Sequence, residues 1–323
     1  MDPNSVAVII LNWNKADLTI PCVMNIKAVE KDVSKRIIVV DNGSNDSTRE
    51  ELLSFAVLNN WTVLFENELP NASLSDDNDM LILLNNNYGY AKGNNFGLKL
   101  AYQLGHKYAL ISNNDVVIEQ AVLEDLLAIM ERNDDISIIG PAVYDRNGKK
   151  QGPFKKPTLY KYFFYPLFSP VIWPIKKALG YASKRDSLAS GDFQYVYSVM
   201  GCFMLVRLNM LKAVDWFDEN TFLYAEELIL SEKLERAGYK VAYKDSTYVK
   251  HMHGGSSSDF ENKTIKSVGL QSELYYLRNY RNYGSIKLFL AKVGINYMNF
   301  VLVPVKSSLE HFIENTFKRG IRQ

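Results

Sequence analysis

Three groups of residues in this chain have the types and spacing for chemistry on a charged substrate. Asp115 closes the string Ser112-Asn113-Asn114-Asp115, where a carboxylate flanked by orienting amides suits a hard divalent cation on a diphosphate. Glu226 and Glu227 open a stretch in which Leu230, Leu234 and Ala237 recur at helical spacing and Gly238 is a natural stop. At 100° per residue Glu227 falls on that apolar face and Glu226 points off it. Burial would raise the pKa of an inward first-turn acid and the helix dipole would lower it, leaving a carboxylate able to take a proton from a hydroxyl. His251 and His253, two of four histidines, stand beside Gly254-Gly255-Ser256-Ser257-Ser258, where imidazole can ligate a metal or donate to a phosphate oxygen. Each group also has a plainer reading: a turn that caps the next helix, a first-turn acid stabilised by the dipole, and structural histidines.

The elements around these residues give them positions. Residues 108–111 form an apolar run that reads as a buried strand ending at Ser112 to Asp115, and residues 119–132 follow with helical spacing. Ligands bind at the carboxyl ends of strands in open α/β sheets, which makes Asp115 the centre of the candidate site. Residues 6–11 are a continuous apolar run ending in Asn12-Trp13-Asn14-Lys15, with no glycine for a dinucleotide-binding turn. Residues 36–40 form a second strand, ending in Asp41-Asn42-Gly43-Ser44-Asn45-Asp46-Ser47-Thr48. Asp41 is placed either to accept hydrogen bonds from a base or ribose or to be a solvated turn residue. Ser47 with Glu50 predicts a capping box that starts the next helix.

Residues 66–79 read as an exposed polar loop. A third strand over 81–84 opens into Asn87-Tyr88-Gly89-Tyr90-Ala91-Lys92-Gly93-Asn94-Asn95, where Gly89 and Gly93 would let the backbone approach a ligand and Lys92 supplies a cation for phosphate. A helix is predicted over 94–104 and a strand over 201–207. The alternation predicts an α/β fold with a mostly parallel, doubly wound sheet.

Composition bounds the rest. A chain of 323 residues, 47% hydrophobic and 23% charged, can bury one large α/β domain with an appendage. A net charge of +1 predicts no nucleic-acid partner. Cys22 and Cys202 are too few and too far apart for a disulfide framework or a metal site, and read as core thiols. Residues 1–5 show no basic leader and pass straight into apolar sequence, so a cytoplasmic chain is expected, with the sequons at Asn45, Asn71 and Asn262 incidental.

The succession Val-Ile-Ile-Leu-Asn-Trp-Asn, Val-Val-Asp-Asn-Gly-Ser-Asn-Asp-Ser-Thr, Asn-x-Gly-Tyr-Ala-x-Gly-Asn-Asn-x-Gly and Ser-Asn-Asn-Asp resembles the family-two inverting glycosyltransferases of GT-A fold. It is most similar to their rhamnosyltransferase-like branch, which builds bacterial surface polysaccharides. The resemblance covers residues 6–283. It implies nucleoside contacts from Asn12 and Asp41, and donor-binding residues Asn14, Gly43, Asn87, Gly89, Lys92, Gly93, Asn95, Asn113 and Asn114 in the matching motifs. Asp115 matches the last acid of an Asp-x-Asp metal motif whose first acid is Asn113 here. Glu227 stands where the family carries its basic aspartate, one methylene longer, with Glu226 beside it; Ile229 replaces a further acid. The family's His-x-x-x-x-Ser pattern selects His251 as a ligand, with Ser256 near phosphate, and Arg278 as a phosphate or lid residue. Mg²⁺ or Mn²⁺, a dTDP-rhamnose or UDP-sugar donor, and a glycan acceptor, lipid-linked in O-antigen or capsule synthesis, are implied with it.

On this reading residues 1–265 are a catalytic domain, nucleotide-binding to about 118 and acceptor-binding over 119–265, and residues 266–323 are a helical extension. Residues 159–179 and 286–305 are aromatic, apolar and basic, yet too interrupted for a membrane span. Peripheral contact with the inner face of a membrane, an acceptor-domain core and a homodimer interface explain them equally well. A nucleotidyltransferase would need a glycine- and basic-rich loop after the first strand, and none is present. A non-catalytic sugar-nucleotide-binding or assembly protein would tolerate Asn113 and Glu227.

Overall fold

The computed structural model of the protein describes residues 5–71, 78–170, 192–252 and 262–302. The chain falls into two compact units, Met1–Lys156 with Leu188–Ile265, and Pro157–Ser187 with Lys266–Gln323. Residues 157–187, read from sequence as part of the acceptor half, therefore group with the C-terminal helices.

The first unit carries an eleven-stranded sheet: β1 (Val6–Asn12), β2 (Lys35–Asp41), β3 (Thr62–Phe65), β4 (Met80–Leu83), β5 (Tyr108–Asn113), β6 (Val116–Val117), β7 (Ile136–Asp145), β8 (Lys150–Gln151), β9 (Gln194–Val196), β10 (Phe203–Arg207) and β11 (Lys240–His251). Its order is β3-β4-β2-β1-β5-β10-β7-β11-β6, with β8 on β7 and β9 on β11. The left half, β3 to β5, is parallel throughout. β10 then runs antiparallel between β5 and β7, and β7 pairs in parallel with β11.

Helices cover both faces, as the predicted doubly wound fold requires. Val6, Val8 and Ile10 of β1 pack on one side with α1 (Ala16–Val29), α2 (Asp46–Leu58) and α4 (Leu123–Arg132). Ala7 and Ile9 pack on the other with α3 (Gly89–Gln103), α5 (Leu208–Ala213) and α6 (Glu226–Arg236). Successive side chains of a strand face opposite ways, so a strand wrapped on both faces must be apolar throughout, which is the pattern of residues 6–11. Each fully buried Val or Ile contributes on the order of 1.5–3 kcal/mol.

Register sets the site. Asn12 pairs with Asp41, Leu11 with Asn113 and Asp41 with Leu83, so the carboxyl ends of the parallel strands finish level. β1 has β2 on one side and β5 on the other, the arrangement of a topological switch point, beside which open α/β sheets bind their ligands.

Three helix starts differ from the sequence prediction, for one reason: their caps come from elsewhere. α2 is capped by Asn45, which accepts from the Thr48 amide at 2.9 Å, rather than by Ser47. α3 starts at Gly89 instead of Asn94 because Asn42 and Asn87 accept from the Tyr88 and Gly89 amides at 3.0 and 2.9 Å. α4 starts at Leu123 instead of Glu119, where the buried carboxylate of Glu30 in the loop after α1 accepts from the Val122 and Leu123 amides at 2.8 and 3.2 Å. Asn25 adds a two-way bond to the amide and carbonyl of Ile118 at 2.8 and 3.0 Å, so α1 and the loop after it fix the chain that leaves Asp115.

In the second unit α7 (Asn262–Asn279) and α8 (Ser285–Tyr297) accompany π-helical turns at Tyr160–Phe164 and Met298–Leu302.

Removing the Glu30 carboxylate would orphan two buried amides at the start of α4. Glu30→Ala is therefore expected to cost about 1–3 kcal/mol, read as a lower urea midpoint, while Glu30→Gln, which keeps one acceptor, recovers part of the loss.

Candidate active site

The strand ends are tied by side chains. Asn12 donates from its amide to Asp41 at 2.8 Å and to Ser44 Oγ at 3.1 Å, and accepts from Thr19 Oγ1 at 2.7 Å. Asp41 has no exposed surface and also accepts from the Ser44 hydroxyl, from the Ser44 amide at 3.3 Å and from Arg49 Nε at 3.2 Å. Asn114 turns inward and donates to Thr19 Oγ1 at 3.0 Å. Asn12, Asp41 and Asn114 thus come together as a buried knot. Around its rim lie the partly exposed Asn14, Gly43 and Asn87. Asn14 accepts from the Asn45 amide at 2.8 Å, and its own amide donates to Ser44 Oγ at 2.8 Å.

The glycines read as ligand approaches serve the packing of loop on loop. Gly43 has φ +71°, and a Cβ there would lie 2.2 Å from the Asn86 carbonyl carbon. Gly89 has φ +78°, and its Cβ would lie 2.3 Å from the Phe222 carbonyl oxygen. At Gly93 a side chain would run into Leu11. Asn95 lies away from the rim: it is buried, holds the amide and carbonyl of Phe217 at 3.1 and 3.0 Å, and donates to Glu219 at 2.9 Å. Lys92 places its ammonium 4.2 Å from the centre of the Tyr88 ring.

Asp115 sits in the turn between β5 and β6. β6 pairs antiparallel with the end of β11, setting His251 opposite Val116, and the Met252 amide donates to the Asp115 carbonyl at 2.9 Å. His251 Nε2 lies 3.2 Å from Asp115 Oδ1, and both side chains are about one-tenth exposed, at 10%. Gln151 Oε1 stands 3.4 Å from His251 Nδ1; an Nδ1 proton shared with it turns the Nε2 lone pair to the side of Asp115. Neighbouring ligands on an octahedral ion at about 2.1 Å are about 3.0 Å apart, so this oxygen–nitrogen pair fits two adjacent positions on Mg²⁺ or Mn²⁺. The described residues contain no group of three or more His, Cys, Asp or Glu able to hold a metal. Ser256 and His253 lie outside the described residues. Arg278 is an exposed residue of α7 in the second unit.

The second pair of carboxylates is built differently. Tyr224 and Ala225 adopt left-handed φ of 73° and 68°, turning the chain sharply into α6. The two first-turn acids are placed opposite to the helical-wheel expectation: Glu226 is only 4% exposed while Glu227, expected to face inward, is partly exposed, because the residues around the helix start cover its end and not only its apolar face. Glu227 Oε1 accepts from the Gly201 amide at 3.2 Å, and an added Cβ on Gly201 would lie 2.4 Å from that oxygen. Tyr90 donates to the Gly201 carbonyl at 2.7 Å, tying α3 to the same turn. Burial raises the Glu227 pKa. Burial and then the neighbouring Glu227 push Glu226 up to about 8, and its Oε1 finds no hydrogen-bond partner among the described residues. The antiparallel entry of β10 joins the two carboxylate sites. The Cys202 carbonyl accepts from the Asn113 amide at 2.8 Å, and the Cys202 thiol is raised by burial and by the charges of Asp115 and Glu227. Asp115 and Glu227 are thus both close enough to this buried thiol for their charges to act on it.

Sequence reasoning missed Ser44, Thr19, Arg49, Asn42, Gln151 and Gly201 as parts of this arrangement. Ser44 and Asn42 lie in the same polar string as Asp41 and were open to discovery; Gln151 carries no local signal.

Known proteins resemble this chain in sequence and in fold. Residues 7–185 match the family model described as glycosyl transferase family 2. An N-acetylglucosaminyl-diphospho-decaprenol L-rhamnosyltransferase of Mycobacterium tuberculosis is 24% identical over 236 residues, 69% of this chain and 68% of that protein. A low-salt glycan biosynthesis hexosyltransferase of Haloferax volcanii is 23% identical over 70% of this chain and 64% of its own. Two solved structures share the fold. GalNAc-T7 with UDP, GalNAc and Mn²⁺ has a TM-score of 0.58 at 13% identity over 94% of this chain and 57% of that longer one. A mannosyltransferase of Pyrobaculum calidifontis with GDP-Man and Mn²⁺ has 0.53 at 13% identity over 94% and 73%.

The burial of Glu226 has a pH signature. A carboxyl whose folded pKa is raised costs nothing below its unfolded value and destabilises progressively as pH climbs through about 8. Thermal unfolding of the wild type is expected to fall relative to Glu226→Gln between about pH 5 and 8.5, with the two proteins matching at the acid end. Parallel profiles would mean that Glu226 is solvated.

Proposed function

The chain belongs to glycosyl transferase family 2, and from that premise we propose that it moves a sugar from a nucleoside-diphosphate sugar to a hydroxyl of a glycan acceptor with inversion. The observation that carries the reading is the joining of the two carboxylates by one backbone turn: Glu227 accepts from the Gly201 amide at 3.2 Å, and the carbonyl of the next residue, Cys202, accepts at 2.8 Å from Asn113, two residues before Asp115. Glu227 takes the proton of the acceptor hydroxyl as that oxygen bonds to the anomeric carbon from the face opposite the diphosphate. The bond from the anomeric carbon to the phosphate oxygen breaks in the same displacement, and no covalent enzyme intermediate forms. The Gly201 amide holds Glu227 in place, and burial keeps its proton affinity high enough for the task. Asp115 and His251 would hold Mg²⁺ or Mn²⁺. A cation bound there offsets the charge that develops on the leaving nucleoside diphosphate.

The knot of Asn12, Asp41 and Ser44 shapes the nucleoside end of the site, with Asn14, Gly43 and Asn87 as its accessible rim. In this reading Lys92 leaves the Tyr88 ring for a phosphate. The mycobacterial relative's name supports a rhamnosyl donor and a lipid-linked glycan as acceptor, with dTDP-rhamnose and a UDP-sugar as the candidate donors. Such a reaction belongs to cell-surface polysaccharide synthesis, of O-antigen or capsule type, on the cytoplasmic side of the membrane that carries the acceptor.

Glu227→Gln is expected to lower release of nucleoside diphosphate from the donor by about 10²–10⁴-fold, the usual worth of a general base, with donor affinity nearly unchanged. Retained turnover in Glu227→Gln together with its loss in Glu226→Gln would transfer the role to Glu226; turnover retained in both would refute acid–base work by this pair.

Gly201→Ala supplies a milder version. Its added methyl displaces the Glu227 carboxylate, so kcat should drop at least about tenfold while nucleotide binding holds. Equal losses in binding and turnover would show a general disturbance of the loop.

A further inference from the structure

The two units of the chain differ in charge. The second unit, Pro157–Ser187 with Lys266–Gln323, has fourteen Lys and Arg against four Asp and Glu, a formal +10; the whole chain is +1, so the first unit carries −9. Within this basic unit α8 contains no acidic residue. Its inward face presents Ala291, Gly294 and Ile295, and Gly294 meets the Tyr160–Phe164 turn so closely that a Cβ would lie 1.9 Å from the Tyr162 carbonyl oxygen. Its outward face is also apolar. Ile286, Phe289 and Val293, at i, i+3 and i+7, are 78%, 65% and 37% exposed. Exposed Lys287 and Lys292 flank this stripe, and the next turn adds exposed Phe300 and Val301. The turn that packs on Gly294 contributes exposed Tyr160 and Phe164, with exposed Phe168 continuing the same spacing.

An aqueous protein rarely leaves so continuous an apolar stripe uncovered. No described helix is long and apolar enough to cross a membrane, so this one is suited to lie in an interface plane. We propose that the second unit docks on the surface of an anionic lipid bilayer, with Ile286, Phe289 and Val293 entering the headgroup boundary and the flanking lysines meeting lipid phosphates. Charge complementarity selects this partner over a second copy of the chain. A two-fold dimer through the same face would bring Lys287 and Lys292 of one copy toward those of the other, whereas an anionic leaflet attracts each basic residue near it. The surface stands apart from the transferase reading and is tested without any glycan.

The experiment is co-sedimentation of the full chain with vesicles of phosphatidylcholine alone and of phosphatidylcholine mixed with phosphatidylglycerol. Binding to the mixed vesicles only, weakened as salt rises from about 0.1 to 0.5 M, is expected. The double variant Ile286→Ser with Phe289→Ser should lose at least about tenfold in vesicle affinity, with thermal unfolding unchanged because both side chains are already in solvent. Failure to bind either vesicle, or equal binding by the variant, would overturn the proposal. A self-association in analytical ultracentrifugation that the double variant abolishes, without vesicle binding, would assign the stripe to a second copy instead.

Discussion

Where parallel strands end, their backbone groups lose ladder partners, and something else must satisfy them. Side chains do so here, and the site follows from that requirement. Because β1 ends level with β2 and β5, Asn12 meets Asp41 across one pairing and Asn113 stands beside Leu11 across the other. The amide of Asn12 and the carboxylate of Asp41 close the gap between two strands, Ser44 and Arg49 complete the acid's partners, and Asn42 reaches across to Asn87 at 3.0 Å to hold the third loop. Loosening this knot would separate the loops that place Asp115 and the rim of the site.

The buried acids divide by how they are satisfied. Asp41 accepts from three side chains and an amide; Glu30 accepts from two helix-start amides. Such acids hold the fold, since a buried carboxylate with several donors gains more from them than from any ligand. Glu226 and Glu227 lie in the opposite regime. Among the described residues one carries an orphan oxygen, the other accepts from the Gly201 amide, and burial raises the pKa of both. Acids raised by burial beside each other at a helix start are what the proposed proton transfer needs.

Much of this was legible in the chain itself. Apolar runs ending in Asn12, Asp41 and Asp115 marked three strand ends, and the regular alternation of strand and helix gave the doubly wound sheet. The pairing of His251 with Asp115 was implied by the family resemblance, and the short strand β6 supplies the contact. The missing parts are long-range. Gln151 meets His251 across 100 residues, Tyr90 meets Gly201 across 111, and Glu30 caps a helix 92 residues away. Local patterns carry no trace of such partners. Asn95 shows the opposite error: it belongs to a motif of ligand-facing type, yet the fold uses it to pin the Phe217 turn. The helical wheel of α6 misjudged Glu226 because a wheel knows the apolar face of a helix and not what covers its end.

The most direct test of the account is calorimetric titration of dTDP, UDP and GDP into the full chain, with Mn²⁺ and again with EDTA, for the wild type and Asp115→Asn. The account predicts one preferred nucleotide, bound in Mn²⁺ at least about tenfold more tightly than in EDTA, with the metal-dependent gain lost in Asp115→Asn. Equal affinity with and without metal, or an Asp115→Asn profile matching the wild type, would contradict a donor site built on Asp115 at the edge of this sheet.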